Sequence, residues 1–222
     1  MKLDNTSGIE KYMRDSEEIA VGDKGQKANT VLLNSRRYQP PEIVQITARI
    51  YSLAGLNLCN THIIIGNKQV TVVDTGSSVS DGEAILTHIR KITDKPIGTI
   101  IYTHSHYTKG SVPIVEERTD HPVEIVGHWK LHENFSRDLV TLRRFMRRRG
   151  LMESAALLPE AGEDADSAGS KVTRGGREGY LKPTRVIEND GTVLTIEGIR
   201  MIFHTRFTFD TDDTLLIWLP DD

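Results

Sequence analysis

GTIIYTHSHYTKG, residues 98–110, decides how this 222-residue chain is read. It opens as an apolar run dense enough for a strand covered on both faces, the kind found in the middle of a parallel sheet with helices against it. Directly after that run it delivers two histidines two positions apart, His104 and His106. An extended backbone sends residues i and i+2 to one side, so both imidazoles can converge on one ion, and neutral imidazole suits zinc and similar metals. Alone the pair specifies little, because two polar residues in a surface loop read the same way.

Working outward, the pattern around the stretch is layered. Upstream, EIVQITARIYSLAG (42–55) alternates as a strand does, and NTHIIIGNKQVTVVDTG (60–76) gives two β-rich runs about Gly66-Asn67-Lys68, a hairpin with a short turn. Ser80 followed by Glu83 is a capping-box signature; Ile85, Leu86, Ile89 and Ile92 then recur at helical spacing until Pro96 ends the helix. Downstream, VEIVGH (123–128) is strand-like and about Trp129 to Arg149 is helical. Strand, helix, strand, helix at these spacings predicts an α/β layered domain. Further on, TVLTIEGIRMIFHT (192–205) reads as a hairpin about Glu197-Gly198, and TLLIWLP (214–220) as another apolar strand. Residues 1–40 are polar and close on Pro40-Pro41, an N-terminal arm, mostly irregular with one short helix, leaving 41–222 as the domain. The Gly-, Ser- and acid-rich stretch near 160–179 reads as a mobile loop.

Bulk properties remove several function classes. With 37% hydrophobic and 27% charged residues and a net charge of −3, the chain has no field that attracts nucleic acid or an anionic membrane surface. The single cysteine, Cys59, excludes an internal disulfide and fits a reducing compartment. No apolar run approaches the roughly 20 residues that span a bilayer, and the polar start is unlike a secretory signal, so a cytoplasmic location is expected. There is no Gly-rich phosphate loop and no serine nucleophile elbow, and nothing suggests a nucleotide cofactor. His128 and His132, four apart on the expected helix, are read as a partly buried helix face rather than a metal pair, and RRFMRRR (143–149) as a solvated face.

The order NTHIIIGNKQVTVVDTGSS, capped helix, KPIGTIIYTHSH resembles the metallo-β-lactamase superfamily, in which a hairpin ends in an aspartate-x-glycine turn and the next β-α unit delivers H-x-H-x-D-H. HIRKITDKPIGTIIYTHSH, LLPEAG, LKPTRVIENDGTVLTIEGIRM and LLIWLPDD resemble its alkyl sulfatase branch, which hydrolyses sulfate esters of alkyl chains. The resemblance runs from about Pro40 to the C-terminus. It implies an α/β fold of four layers, αββα, two metal ions and a metal-activated water as nucleophile.

Carried over residue by residue, His104 and His106 match the first two ligands and Asp74 the strand-end aspartate that braces the site. Thr108 stands where the branch has the aspartate of the second metal, and Lys109 where it has the third motif histidine. Threonine offers no anionic oxygen, and an ammonium repels a divalent ion. The second metal site is therefore expected to be lost, leaving one divalent ion, zinc first and manganese or iron as alternatives. Lys109 is read as a positive charge in that space, able to hold an anionic ester group. In HTRFTFDTDD (204–213) His204 is retained while the branch's proline and glycine are gone. Asp210 or Asp212 replaces the branch's glutamate in this reading, and Asp190 is a further acidic candidate; each is weighed against a solvated loop acid.

Two functions stand side by side: a hydrolase of sulfate esters or related small esters, and a degenerate subunit that keeps the fold to bind a partner or ligand. The branch continues past the WLP strand with more ligands, helices and a further domain. A second polypeptide completing the fold is therefore expected, with an element-exchanging homodimer as the fallback.

Overall fold

The computed structural model describes residues 19–21, 27–29, 40–118, 120–137, 141–145, 148 and 177–222. Most of the expected 160–179 loop and part of the expected 129–149 helix lie outside the described residues. Within the arm, β1 (Ile19–Val21) and β2 (Lys27–Asn29) form an antiparallel pair; the rest of the arm, where a short helix is expected, lies outside the described residues.

The apolar runs around the quoted stretch make the main sheet. Hairpin pairing joins β3 (Glu42–Gln45), β4 (Ile50–Ala54), β5 (Thr61–Ile65) and β6 (Val70–Val73) antiparallel. From β6 onward the neighbours are parallel: β7 (Ile97–Ile101), β8 (Glu124–His128) and β9 (Arg185–Ile187), giving seven strands in sequence order. All five residues of β7 are buried, as its continuous apolar run requires of a central strand.

Helix α1 (Val79–Ile92) connects β6 to β7 and buries Ile85 and Ile89 on the sheet. It starts two residues before the Ser80–Glu83 box. Ser78 is the N-cap, its hydroxyl accepting from the Asp81 N–H, while Asp81 Oδ2 accepts from the Ser77 N–H at 2.8 Å. An aspartate reaches back across this turn, so the Ser-x-x-Asp spelling wins and Glu83 is left on the exposed face. Helices α2 (Ser111–Glu116) and α3 (Leu131–Ser136) are short, and Ile114 and Leu131 join the same core cluster.

The opposite face of the main sheet packs on a three-stranded antiparallel sheet, β10 (Thr192–Ile196), β11 (Ile199–His204) and β12 (Leu216–Trp218). Between the sheets lies a second core, with Ile64, Val73, Ile101 and Val126 from one and Ile199, Met201 and Phe203 from the other. This is the αββ part of the four-layer plan. On the outer face of the small sheet Val193, Ile202 and Trp218 form one cross-strand row, with Val193 54% and Trp218 55% exposed. Among the described residues no helix lies over that row.

The β10–β11 turn is a two-residue one, with Glu197 (φ 51°) and Gly198 (φ 82°) both left-handed, the geometry that matches strand twist. It docks on the β5–β6 turn. Glu197 Oε2 accepts from the Lys68 N–H at 2.6 Å and the Gln69 N–H at 3.1 Å, and the Glu197 carbonyl accepts from the Asn67 N–H at 3.0 Å.

Candidate metal centre

The site lies where β6, β7 and β11 end. Strand β6 closes on Asp74, a non-glycine residue at φ 61°, so the chain turns sharply and the carboxylate points back at the end of β7. There Asp74 Oδ1 accepts from the Thr103 N–H at 2.8 Å and Oδ2 from the Thr103 hydroxyl at 2.6 Å. Burial pushes the Asp74 carboxyl up to about 7 against the pull of these two bonds.

Thr103 passes the constraint on. Its hydroxyl proton is directed at Asp74, so its oxygen accepts from His104 Nδ1–H at 2.9 Å, which leaves the lone pair of the ring on Nε2. That Nε2 is shut off from water and makes no hydrogen bond; it faces Asp210 Oδ2 at 3.4 Å. Burial, then neighbouring His106, lowers the His104 pKa, while Asp210 pulls the other way; the ring is held in its neutral, ligand-competent form.

The two imidazoles converge, though not by strand alternation. β7 ends at Ile101; His104 is extended (φ −169°), and Ser105–Tyr107 form a single 3-10 turn that swings His106 back until the ring centroids are 5.0 Å apart. Backbone bonds sew this turn to the strand-end loop: the Thr75 N–H donates to the Tyr107 carbonyl at 2.8 Å and the Lys109 N–H to Gly76 at 3.0 Å. His106 Nδ1 lies 2.9 Å from Asp210 Oδ2. One ligand atom each from His104, His106 and Asp210 lies within 4.8 Å of the others, a spacing that fits a single divalent ion.

The remaining sequence candidates lie around that cluster rather than in it. His204 and Asp190 pair with each other at 3.3 Å, and Asp190 also accepts from the Thr205 N–H and meets Arg206. Asp212 is held by Lys130 at 2.9 Å and Asn134 at 2.7 Å. Thr108 is fully buried with its hydroxyl on the Ser105 carbonyl, and the Lys109 ammonium sits 3.6 Å from Glu178. His128 and His132 do not share the helix face expected for them: His128 ends strand β8, buried, with Nδ1 accepting from the Lys130 N–H, because the apolar run before it continues the sheet, while His132 lies exposed on α3 and stacks on Tyr180. Sequence reading passed over Thr103, whose role needs the Asp74 contact, and Asp213, whose signal was only its place in a run of acids.

An apolar cavity of about 340 Å³ runs between the sheets from Ile50 and Ile64 to Thr103, Phe209 and Leu215. It reaches the residue that orients His104.

Comparison with known proteins agrees with this architecture. A family model described as the metallo-beta-lactamase superfamily matches residues 54–219. The alkyl/aryl-sulfatase BDS1 of Saccharomyces cerevisiae is 26% identical over 185 residues, 80% of this chain and 28% of its own length. A linear primary-alkylsulfatase of Pseudomonas sp. is 28% identical over 160 residues, 68% of this chain and 29% of its own. Among solved structures, the inverting sec-alkylsulfatase Pisa1 from Pseudomonas sp. superposes with a TM-score of 0.72 at 19% identity, covering 98% of this chain and 39% of that one. The chain thus spans less than a third of the length of these curated relatives.

Proposed function

We propose that this chain, which belongs to the metallo-β-lactamase superfamily and to its alkylsulfatase branch, is the metal-holding part of a hydrolase acting on sulfate esters or related small esters. The observation that carries the reading is His104 Nε2: a buried lone pair, oriented by Asp74 and Thr103, with no partner but a carboxylate at 3.4 Å. An unpaired buried polar atom costs free energy unless a ligand takes it up. His104, His106 and Asp210 would hold one divalent ion, zinc before manganese or iron, which supplies Lewis acidity and a water nucleophile at neutral pH. Asp74 and Thr103 fix the ring; Asp210, 60% exposed, leaves one side of the cluster open to an incoming ester. The apolar cavity beside Thr103 suits an alkyl tail.

A second reading is favoured by particular residues. Thr108 is buried and committed to Ser105, and Lys109 is paired with Glu178, so neither of the two positions that match second-ion ligands of the branch offers one here. On that reading the fold serves partner or ligand binding and catalysis is lost. Both readings include a completing partner, a second polypeptide or, failing that, a second copy, over the Val193–Ile202–Trp218 row, whose outer members Val193 and Trp218 are exposed. A cytoplasmic setting stays part of the proposal.

Metal analysis followed by assay with an alkyl sulfate separates them. The hydrolase reading expects close to one equivalent of metal and sulfate release that chelation stops. Protein holding less than about a tenth of an equivalent of zinc, manganese or iron after reconstitution sinks it, because assembled ligand sets hold such ions tightly. One equivalent of metal without turnover selects the degenerate subunit.

A further inference from the structure

Asp213 is 0% exposed, yet it carries a carboxylate. Its Oδ1 accepts from Asn134 Nδ2 at 3.0 Å; its Oδ2 is buried and makes no hydrogen bond. Among the described residues no lysine or arginine forms an ion pair with it; Lys130, close by, is taken by Asp212. A neutral amide does not compensate a buried negative charge, and an uncompensated one is costly.

Its position is set by one backbone bond. The Leu215 N–H donates to the Thr103 carbonyl at 2.7 Å, so the segment that carries Asp213, two residues before Leu215, runs alongside the one that carries His104, one residue after Thr103. The field of Asp213 is felt at His104 and at His128. Two buried polar atoms without hydrogen-bond partners, His104 Nε2 and Asp213 Oδ2, therefore flank one anchoring bond.

We propose that Asp213 is the second carboxylate of the metal centre, the buried anion that together with Asp210 balances a divalent ion at His104 and His106. It does so from outside the three-residue cluster, taking over the charge that Thr108 lacks. Two carboxylates against a doubly charged ion with neutral imidazoles leave no net charge in the protein interior. Asn134 positions Asp213, and its neutral amide leaves the charge for the ion. This rests on the reading of His104, His106 and Asp210 as a metal centre.

The test is cobalt titration and thermal melting of the whole chain, wild type against Asp213→Asn. Asparagine can still accept from Asn134 and removes the uncompensated charge, so the metal-free variant is expected to melt at or above the wild-type temperature. Its cobalt affinity is expected to fall about 10- to 100-fold, with most of the metal-induced rise in melting temperature gone. Affinity within twofold of wild type overturns the proposal, as does a variant that melts lower without metal while keeping the full metal-induced rise. Should Asp213→Asn fail to fold, Asp213→Glu keeps the charge and must bind cobalt within about tenfold of wild type; a folded Asp213→Glu that binds none also overturns it. A wild-type chain that binds no cobalt removes the metal centre and this proposal together, whereas binding unaffected by Asp213→Asn removes this proposal alone.

Discussion

At one end of the sandwich two hairpin turns are tied to each other by hydrogen bonds; at the other several buried polar atoms are without one. The turn joining β10 to β11 offers Glu197 to two backbone N–H groups of the β5–β6 turn, and Lys95 Nζ donates to the carbonyls of Gly66 at 2.7 Å and Asn67 at 3.1 Å. Across the sheet, where β6, β7 and β11 finish, His104 Nε2, Ser105 Oγ and Asp213 Oδ2 are buried without hydrogen bonds. Same strands, same cores, opposite ends: the first end holds the two sheets together, and the second stores unsatisfied polar atoms that a ligand could use. Stability and chemistry are thereby separated along the strand axis, and substitutions at the two ends should be told apart by what they change.

The largest effect is expected from His104→Ala. It removes the one ring whose lone pair is both buried and oriented, and should weaken zinc or cobalt binding more than about 100-fold, beyond what loss of a supporting residue costs. Melting of the metal-free protein should fall only modestly, by about 1 kcal/mol, because the ring gives up its Nδ1–H bond to the Thr103 hydroxyl while Nε2 has no hydrogen bond to lose. Isothermal titration and metal-free melting give both numbers; a large loss of metal-free stability would show that this end also carries the fold.

Next comes the brace. Thr103→Val deletes the hydroxyl between Asp74 and His104, so metal affinity should fall about 10- to 100-fold. It should also cost the metal-free protein about 1–3 kcal/mol, more than the first variant, because Asp74 and His104 Nδ1 both lose a hydrogen-bond partner inside the protein. Asp74 adds a pH signature. Its carboxyl is raised from 3.8 to about 7 by burial, so the stability it contributes is fully present below pH about 4 and is lost as pH rises through about 7, where the folded protein must ionise it. Metal-free wild type should lose stability across that window, and Asp74→Asn, which tolerates the left-handed backbone, should flatten the profile. Equal pH profiles for the two would mean that Asp74 is not the titrating group.

The two ends were unequally legible in the sequence. The turn end was nearly all readable: Gly66-Asn67-Lys68 and Glu197-Gly198 announce hairpins by local chemistry that needs no tertiary information. What could not be read was that these turns meet, because Lys68 and Glu197 are 129 positions apart. At the site end His104 and His106 were visible as a pair, but the geometry that joins them is a 3-10 turn, not the strand alternation the spacing suggests. Of the acids, Asp210 reaches the histidines, while Asp190 is drawn to His204 and Asp212 to Lys130. Local sequence gives a loop acid no way to declare its partner; that depends on how residues 205–214 cross the ends of β7 and β8. The α1 cap shifted by two residues for a local reason, the competition of two Ser-x-x-acid spellings in SSVSDGE.

A smaller change is expected at the two positions where this chain departs from the motif of the branch. Thr108→Asp with Lys109→His restores an acid and an imidazole directly after the 3-10 turn, while the first change also buries a carboxylate where a hydroxyl is bonded to Ser105. The double variant should melt lower than wild type without metal, yet bind more zinc per chain than wild type when zinc is added, the sign reversal expected if this end takes stability from ligands rather than from contacts. Unchanged metal content would show that the site has diverged beyond these two positions.

The smallest effect belongs to the closed end, and its sign depends on two opposing contributions. Glu197→Ala removes the carboxylate from the Lys68 and Gln69 N–H groups, which are near the surface and can turn to water, so the loss should be about 1 kcal/mol. Alanine also keeps a side chain at φ 51°, where glycine has no penalty. Glu197→Gly loses the same carboxylate but relaxes the left-handed position, and should melt at or slightly above Glu197→Ala. For a chain of this length, about 1 kcal/mol moves the melting temperature by roughly 2–4 °C. Neither variant should alter zinc affinity, because the turn lies at the far end of β10 and β11 from His204. A change in metal binding from either one would mean that the two ends are coupled through the small sheet, and that the relative position of the sheets sets the spacing of Asp210 to the histidines.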